Sequence, residues 1–524
     1  MKKIVLCLLL LFSLHSFAQP AIQWEKSLGS YFNDYGYCIA NTNDGGVIVA
    51  GQGGSGGDIT GNHGSYDCWV VKLSNTGTIQ WAKCYGGTDE DEPNSIIQTN
   101  DGGYIFAGYT ISTDGDIVGN HGQSDILVVK LNDTGAIQWT KCYGGTGDDR
   151  ASSIQQTTEG GFVIAGYTSS NDGDVNGNHG GGDCWIIKIN DTGAIQWQKC
   201  YGGTNGESAT SIVQTSDSGY AFTANTYSND GDVTGIHGID DYWVVKLDTG
   251  GAIQWAKCYG GSQDDEPSSI IQSLDGGYAV AGFTGSSDGD VSGNHGNYDY
   301  WIIKLSDTGA LQWSKCLGGS LLDEAYSIVQ TPDSNFVVAG VTGSMDGDVS
   351  GGGWHGSGDY WVVKLDINGN IKWQKCYGGT HADGAHGMVI TTDGGYAIIG
   401  DSYSNEGDVT GHHGSAGSNT DYWVVKLAPD TATGINEINK AIDLVNIYPN
   451  PFNNMTTIFI SDVIKDKNIT LSTYSLLGQK VNNIYIGDKK EITFDRDILP
   501  AGMYFYKLIG DKQEIIAIGK LIIE

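Results

Sequence analysis

The residues with the richest chemistry per position form a loop at 288–301, reading D-G-D-V-S-G-N-H-G-N-Y-D-Y-W. Counted from Asp288, oxygen-bearing side chains fall at positions 1 (Asp288), 3 (Asp290), 5 (Ser292), 7 (Asn294) and 12 (Asp299), with Gly293 at position 6. A 12-residue calcium loop alternates oxygen ligands in this way and turns sharply on a glycine at position 6. Three more copies repeat the grammar: Asp114, Asp116, Asn120 and Asp125; Asp172, Asp174, Asn176, Asn178 and Asp183; and Asp230, Asp232 and Asp241. These are the candidate Ca2+ ligands. The departures count against them: position 12 is Asp rather than a bidentate Glu, position 5 is Val118 in one copy, and the first copy has Gly56 at position 1. The competing reading, and the preferred one, is a hydrogen-bonded stitch in which Asp299 satisfies loop amides or His295. Sevenfold repetition suits a scaffold better than a reaction centre.

Other candidates are single residues. Trp354 lies outside the repeat positions, in a loop enlarged by Gly351, Gly352 and Gly353, and could stack on a sugar face. His381, His386 and His412 are also non-repeat, and could neighbour one another where the repeats end. Only Arg150 and Arg496 are arginines, which excludes chemistry that needs an arginine cluster on a carboxylate. No nucleophile elbow, P-loop or dinucleotide fingerprint stands out, so no catalytic or cofactor-binding residue is assigned. Six cysteines (Cys84, Cys142, Cys200, Cys258, Cys316, Cys376) share one repeat position and are expected to be small buried residues rather than disulfides.

The elements that position these loops follow from periodicity. The I-x-W or L-x-W tryptophans Trp24, Trp81, Trp139, Trp197, Trp255, Trp313 and Trp373 recur every 57 to 60 residues. In the fifth copy, apolar runs at 268–273, 278–284, 300–305 and 310–316 are separated by glycine turns and the long loop, which predicts four strands. Four strands per copy and seven copies predict an all-β, seven-bladed β-propeller. Residues 21–24 form an orphan fourth strand and 423–427 a third strand lacking its fourth, so the N-terminal strand should close the last blade. The crossing segments and long loops then share one face, which collects acidic residues. A net charge of −33 argues against nucleic acid as a partner.

The repeat D-Y-W-V-V-K-L, I-Q-W-x-K-C-Y-G-G and D-G-G-Y resembles the bacterial SBBP-type β-propeller repeats across roughly residues 21–427. That resemblance implies fold and no particular activity. After the repeats, Y-P-N-P-F at 448–452, L-G-Q-K-V at 477–481, L-P-A-G-M-Y at 499–504 and K-L-I-I at 520–523 follow in order. Together they resemble the type A sorting domain of the type IX secretion system. The resemblance implies that residues 446–524 engage that machinery. Alternating apolar residues there fit a small Ig-like β-sandwich.

Lys2 and Lys3, the apolar run from residue 4 to 12 and Ser16-Phe17-Ala18 read as a signal peptide, too short to span a bilayer. The expected organisation is a signal peptide (1–18), propeller (19–428), linker (429–445) and sorting domain (446–524), with no transmembrane segment. The expected role is a secreted or surface-exposed binding or scaffold module for an extracellular glycan or protein. The alternatives are a glycan-binding adhesin and a polysaccharide hydrolase or lyase on the acidic face. The last requires one blade to break the pattern with clustered acid–base residues.

Overall fold

The computed structural model describes residues 19–430, 445–461, 468–475, 480–497, 499–510 and 515–524. The signal-peptide residues 1–18, most of the 429–445 linker and Leu477 to Gln479 of the L-G-Q-K-V motif lie outside them. The chain divides into two compact units, one of them Gln19–Asp430 and the other containing Thr431–Glu524.

Gln19–Asp430 folds into seven four-stranded antiparallel sheets. In the fifth, the strands Asp265–Gln272, Tyr278–Thr284, Asp299–Leu305 and Leu311–Leu317 pair in chain order. The first strand of every sheet touches the first strands of both neighbours, and the seventh sheet's touches the first sheet's, so the sheets form a closed ring of blades. Ile22–Leu28 pairs with Asp421–Leu427 and completes the seventh sheet, whose other three strands come from the end of the repeats. This closure removes the exposed edge that would otherwise invite pairing with another chain.

One expectation needs correcting. The first strand of the fifth sheet begins at Asp265, three residues before the apolar run at 268–273. Pro267 and its acidic neighbours look like a crossing loop in sequence. The ladder accommodates the proline because its register shifts between Pro267 and Ser269, a bulge that tolerates a residue without an N–H. Asp265 is therefore buried, and Glu266, on the opposite side of the strand, is half-buried.

Contacts between blades repeat as regularly as the strands. Tyr300 stacks on Trp361 of the next blade with ring centroids 4.6 Å apart, and its hydroxyl donates to the Trp361 carbonyl at 3.0 Å. Tyr242 with Trp301, Tyr360 with Trp423 and Tyr422 with Trp69 do the same, the last pair spanning the closure. The third-strand tryptophans Trp69, Trp185, Trp243, Trp301, Trp361 and Trp423 are fully buried. Burying a side chain of that size is worth about 3 kcal/mol before entropy is subtracted. All nine described cysteines are free and buried.

The C-terminal unit has a three-stranded sheet (Val445–Tyr448, Met455–Ile460, Glu491–Asp495) and a four-stranded sheet (Lys480–Gly487, Ile469–Tyr474, Gly502–Ile509, Ile515–Ile523). Ile458, Phe494, Leu471, Tyr504 and Leu521 from both sheets share one core. Deleting residues 19–28 should leave Asp421–Leu427 as an open edge. Circular dichroism should then show loss of the single cooperative melt, with aggregation on gel filtration; an unchanged melt would mean that the closure is dispensable.

Candidate functional site

The loop residues are held by a network built from the blade itself. Asp265 accepts the Gly261 N–H at 2.7 Å, the Ser286 hydroxyl at 2.9 Å and the Thr284 hydroxyl. Asp288 accepts the Ser262 N–H at 2.7 Å, tying the loop to the crossing that precedes its blade. Asn294 donates to the Thr284 and Ser286 carbonyls and accepts from Gly296 N–H. His295 Nδ1 lies 2.6 Å from Asp299 Oδ2, which also accepts the His295 N–H.

Several of the oxygens that a calcium loop would offer are engaged by the blade. Position 1 holds the crossing, both ends of the position 7 amide are engaged, and Asp299 is buried against the blade rather than closing a cage. Asp114 and Asp172 hold Thr88 and Thr146, Asp230 holds Thr204, and Asp125, Asp183 and Asp241 hold His121, His179 and His237. Asn120 and Asn178 repeat the amide stitch. Among the described residues, the side chains of Asp116, Asp174, Asn176, Asp290 and Ser292 make no hydrogen bond. Among the described residues, no group of three His, Cys, Asp or Glu side chains is arranged to hold a metal ion.

Each stitch also places two buried carboxyls together where blades meet. A Cβ on Gly318 would lie 2.7 Å from both Asp299 Oδ1 and Asp323 Oδ2, and one on Gly260 2.7 Å from both Asp241 Oδ1 and Asp265 Oδ2. The first glycine of each G-G pair is needed because carboxyl oxygens fill the space of a side chain. Asp299 Oδ1, like the same atom of Asp67, Asp125, Asp359 and Asp421, is buried without a hydrogen-bond partner. Burial, aided by the facing carboxyl, pushes Asp34, Asp91 and Asp265 up to about 6 and Asp383 up to about 7.

Trp354 is half-buried and packs against the core of the sixth blade, with its indole N–H enclosed. The three non-repeat histidines have separate neighbourhoods. His412 is buried 3.7 Å from Asp421, His381 lies beside Gly417, and His386 Nε2 is 2.5 Å from Asp401 Oδ1.

His386 leads to the cluster that sequence reasoning missed. The first strands present two positions to the axis, occupied by Tyr35 and Tyr37, Glu92 and Asn94, Arg150 and Ser152, and so on round the ring to Glu324, Tyr326 and His386. The His386 ring sits 6.0 Å from Tyr37 and 5.3 Å from Tyr326, whose hydroxyl donates to Glu324. Tyr109 donates to Glu90 at 2.9 Å and lies under the Arg150 guanidinium, 4.3 Å away. Burial and the neighbouring Glu90 carboxylate push Glu92 up to about 6, while burial and Asp264 raise Glu266. Asp401 stands where other blades carry Tyr109, Tyr167 or Phe283. Comparing the copies at these two positions, rather than the conspicuous loop, would have found it.

With the geometry in place, the comparisons divide between the two units. Residues 446–524 match the family model described as "Secretion system C-terminal sorting domain". The tail is a type IX sorting domain. The chain is therefore exported to the outer surface or the extracellular space, and no helix among the described residues is long and apolar enough to cross a membrane. No curated protein matches the chain. Similar solved structures include an apocarotenoid oxygenase of Synechocystis (10% identity, 70% of this chain and 95% of that one, TM-score 0.35). Another is a β-fructofuranosidase of Bombyx mori (12% identity, 71% and 86%, TM-score 0.26). At such scores the propeller rests on the sheets and their closure.

The carboxyl pairs set a pH dependence. Their folded pKa values lie above the ordinary 3.8, so the stability they lend is complete below about 3.8 and is lost as pH climbs through about 6 to 7. At the other end of the strands burial acts in the opposite sense, but turn hydroxyls and lysines hold Asp101, Asp217 and Asp393 down at about 2. That contribution fades as pH falls from 3.8 towards 2. Melting temperature should therefore be highest near pH 4, fall as pH rises to about 7 and level off above it. A flat profile across that range would contradict the assignment.

Proposed function

We propose that this exported propeller is a binding module that takes its ligand at the mouth of the central channel. The observation that carries this reading is the break in symmetry. The third-strand core position holds tryptophan in six of the seven blades, whereas the two first-strand positions change from blade to blade and bring Tyr37, Tyr326, Glu324, His386 and Asp401 into one neighbourhood. Aromatic rings offer apolar faces and the carboxylates accept hydrogen bonds, a combination that suits an extracellular glycan or a protein side chain. Residues 1–18 serve as the signal peptide that starts the export route.

The test is a glycan array and a panel of immobilised surface proteins probed with the exported protein. Binding should be lost in His386→Ala and Asp401→Asn variants that melt like the parent. Binding indifferent to both substitutions would remove the channel mouth from consideration. The His386–Asp401 pair also supports a second reading, proton transfer on a bound polysaccharide. In that case His386→Ala would abolish turnover while leaving capture intact.

The repeated loops are proposed as stitches, since their oxygens already serve the blade. The melting midpoint should be the same in calcium and in chelator, and a drop in chelator would restore the calcium reading.

A further inference from the structure

The end of the sheets opposite the loops carries a second repeated feature. Between the first and second blades lies a cavity of about 590 Å³, lined by Lys72, Trp81 and Tyr104 together with Gln80, Gln98 and Asn43. The next two junctions hold equivalent cavities of about 360 Å³ and about 600 Å³, at Lys130, Trp139 and Phe162 and at Lys188, Trp197 and Tyr220. Trp81 and Tyr104 meet edge to face, 5.8 Å between centroids, and form the apolar wall.

The molecule itself shows what this triad holds. At the junction of the sixth and seventh blades, the equivalent Lys364, Trp373 and Tyr396 close on a carboxylate of the same chain. Asp430 Oδ2 accepts from Lys364 Nζ at 2.6 Å and from Trp373 Nε1 at 2.9 Å, and Oδ1 accepts the Tyr396 hydroxyl at 2.9 Å. Trp373 is only 4% exposed there. Asp430 occupies the junction because the seventh blade takes its outer strand from the N-terminus, so no hairpin follows Leu427. Three donors of different kinds thus converge on one oxygen-bearing group.

We infer that the junctions at Trp81 and Trp197 are sites for the sugar residues of a neutral polysaccharide; at Trp197 the Tyr220 hydroxyl already donates to Glu159 at 2.8 Å, and this carboxylate joins the lining. Hydroxyls both donate and accept, and so does the lining. Lys72 Nζ is already paired with both oxygens of Asp44 at 3.0 Å, and the Asp44 side chain remains 47% exposed. Asp133 lines the same cavity. These carboxylates, on a chain of net charge −33, repel an anionic polymer while accepting hydrogen bonds from a neutral one. The wall of Trp81 and Tyr104 receives the C–H face of a pyranose. Recurrence round the ring makes the sites multivalent, so weak individual contacts sum along one chain. This inference goes beyond the channel-mouth reading and stands without it.

Affinity electrophoresis of the exported protein through gels containing laminarin, mannan, xylan or the anionic polymer pectate tests it. At least one neutral polymer should retard the protein. Tyr104→Phe removes one hydroxyl without disturbing packing, since Phe162 fills the equivalent place in the third blade. It should weaken binding at that junction about fivefold, the size of one net hydrogen bond. Trp81→Phe should weaken it further, with melting curves confirming that both variants fold. Retardation by pectate alone, by none of the polymers, or equal in parent and both groove variants would overturn the proposal.

Discussion

The blades are held at their loop end by one arrangement, a buried carboxylate at the first residue of each inner strand. Asp265 collects the Gly261 amide and the Thr284 and Ser286 hydroxyls, and thereby joins the crossing, the end of the second strand and the start of the loop. Backbone leaving one sheet for the next cannot continue a ladder, so its amides need another acceptor. Much of the repeat follows from this requirement. It accounts for the Asp after the crossing, the glycine pair before it, the Thr that ends the second strand and the Ser two residues on. The blade preceding each junction adds a second carboxylate, Asp241 beside Asp265, and with it the cost of enclosing two acids.

Against this repeated background, departures from the pattern locate function. A residue that recurs in every copy answers to the ring, whereas one that occurs once does not. By this criterion the recurring loop, although the most conspicuous feature of the sequence, belongs with the stitches proposed above. The two ends of the strands also differ in charge. The loop end gathers carboxyls that face one another, and the hairpin end pairs each buried lysine with a turn carboxylate, as Lys130 with Asp101 and Lys246 with Asp217. The first arrangement penalises further negative charge, and the second presents donors and acceptors in balance.

The fold was largely legible because period, glycine turns and complementary terminal strands are all local or additive signals. The start of the inner strand was not. Asp265, Glu266 and Pro267 carry the composition of a loop, and only the bulge and the buried hydroxyl partners explain why they pair. The calcium grammar of Asp288 to Asp299 was legible as spacing, but spacing does not show which oxygens are already taken. His295 and Ser262 take them. His386 was visible as an exception, while Asp401 was hidden at a position that varies from Gln52 and Asn225 to Tyr109 and Val341. Their pairing at 15 residues' separation needs the antiparallel register of Asp383–Ile390 with Tyr396–Ser402.

The exceptions gather in the blade that closes the ring, and its construction supplies a reason. The other blades are continuous in the chain, and in the second to fifth the hairpin turn receives the preceding blade's tyrosine, as Gly309 receives Tyr259. The seventh blade borrows its outer strand from the N-terminus, so Tyr377 must donate to the Pro20 carbonyl instead, at 2.7 Å. With no turn beside Trp373, Asp430 fills the junction. A blade already released from the common pattern at one end carries fewer obligations to its neighbours. His386 and Asp401 at its inner edge can then differ from their counterparts without disturbing a contact that every other blade repeats.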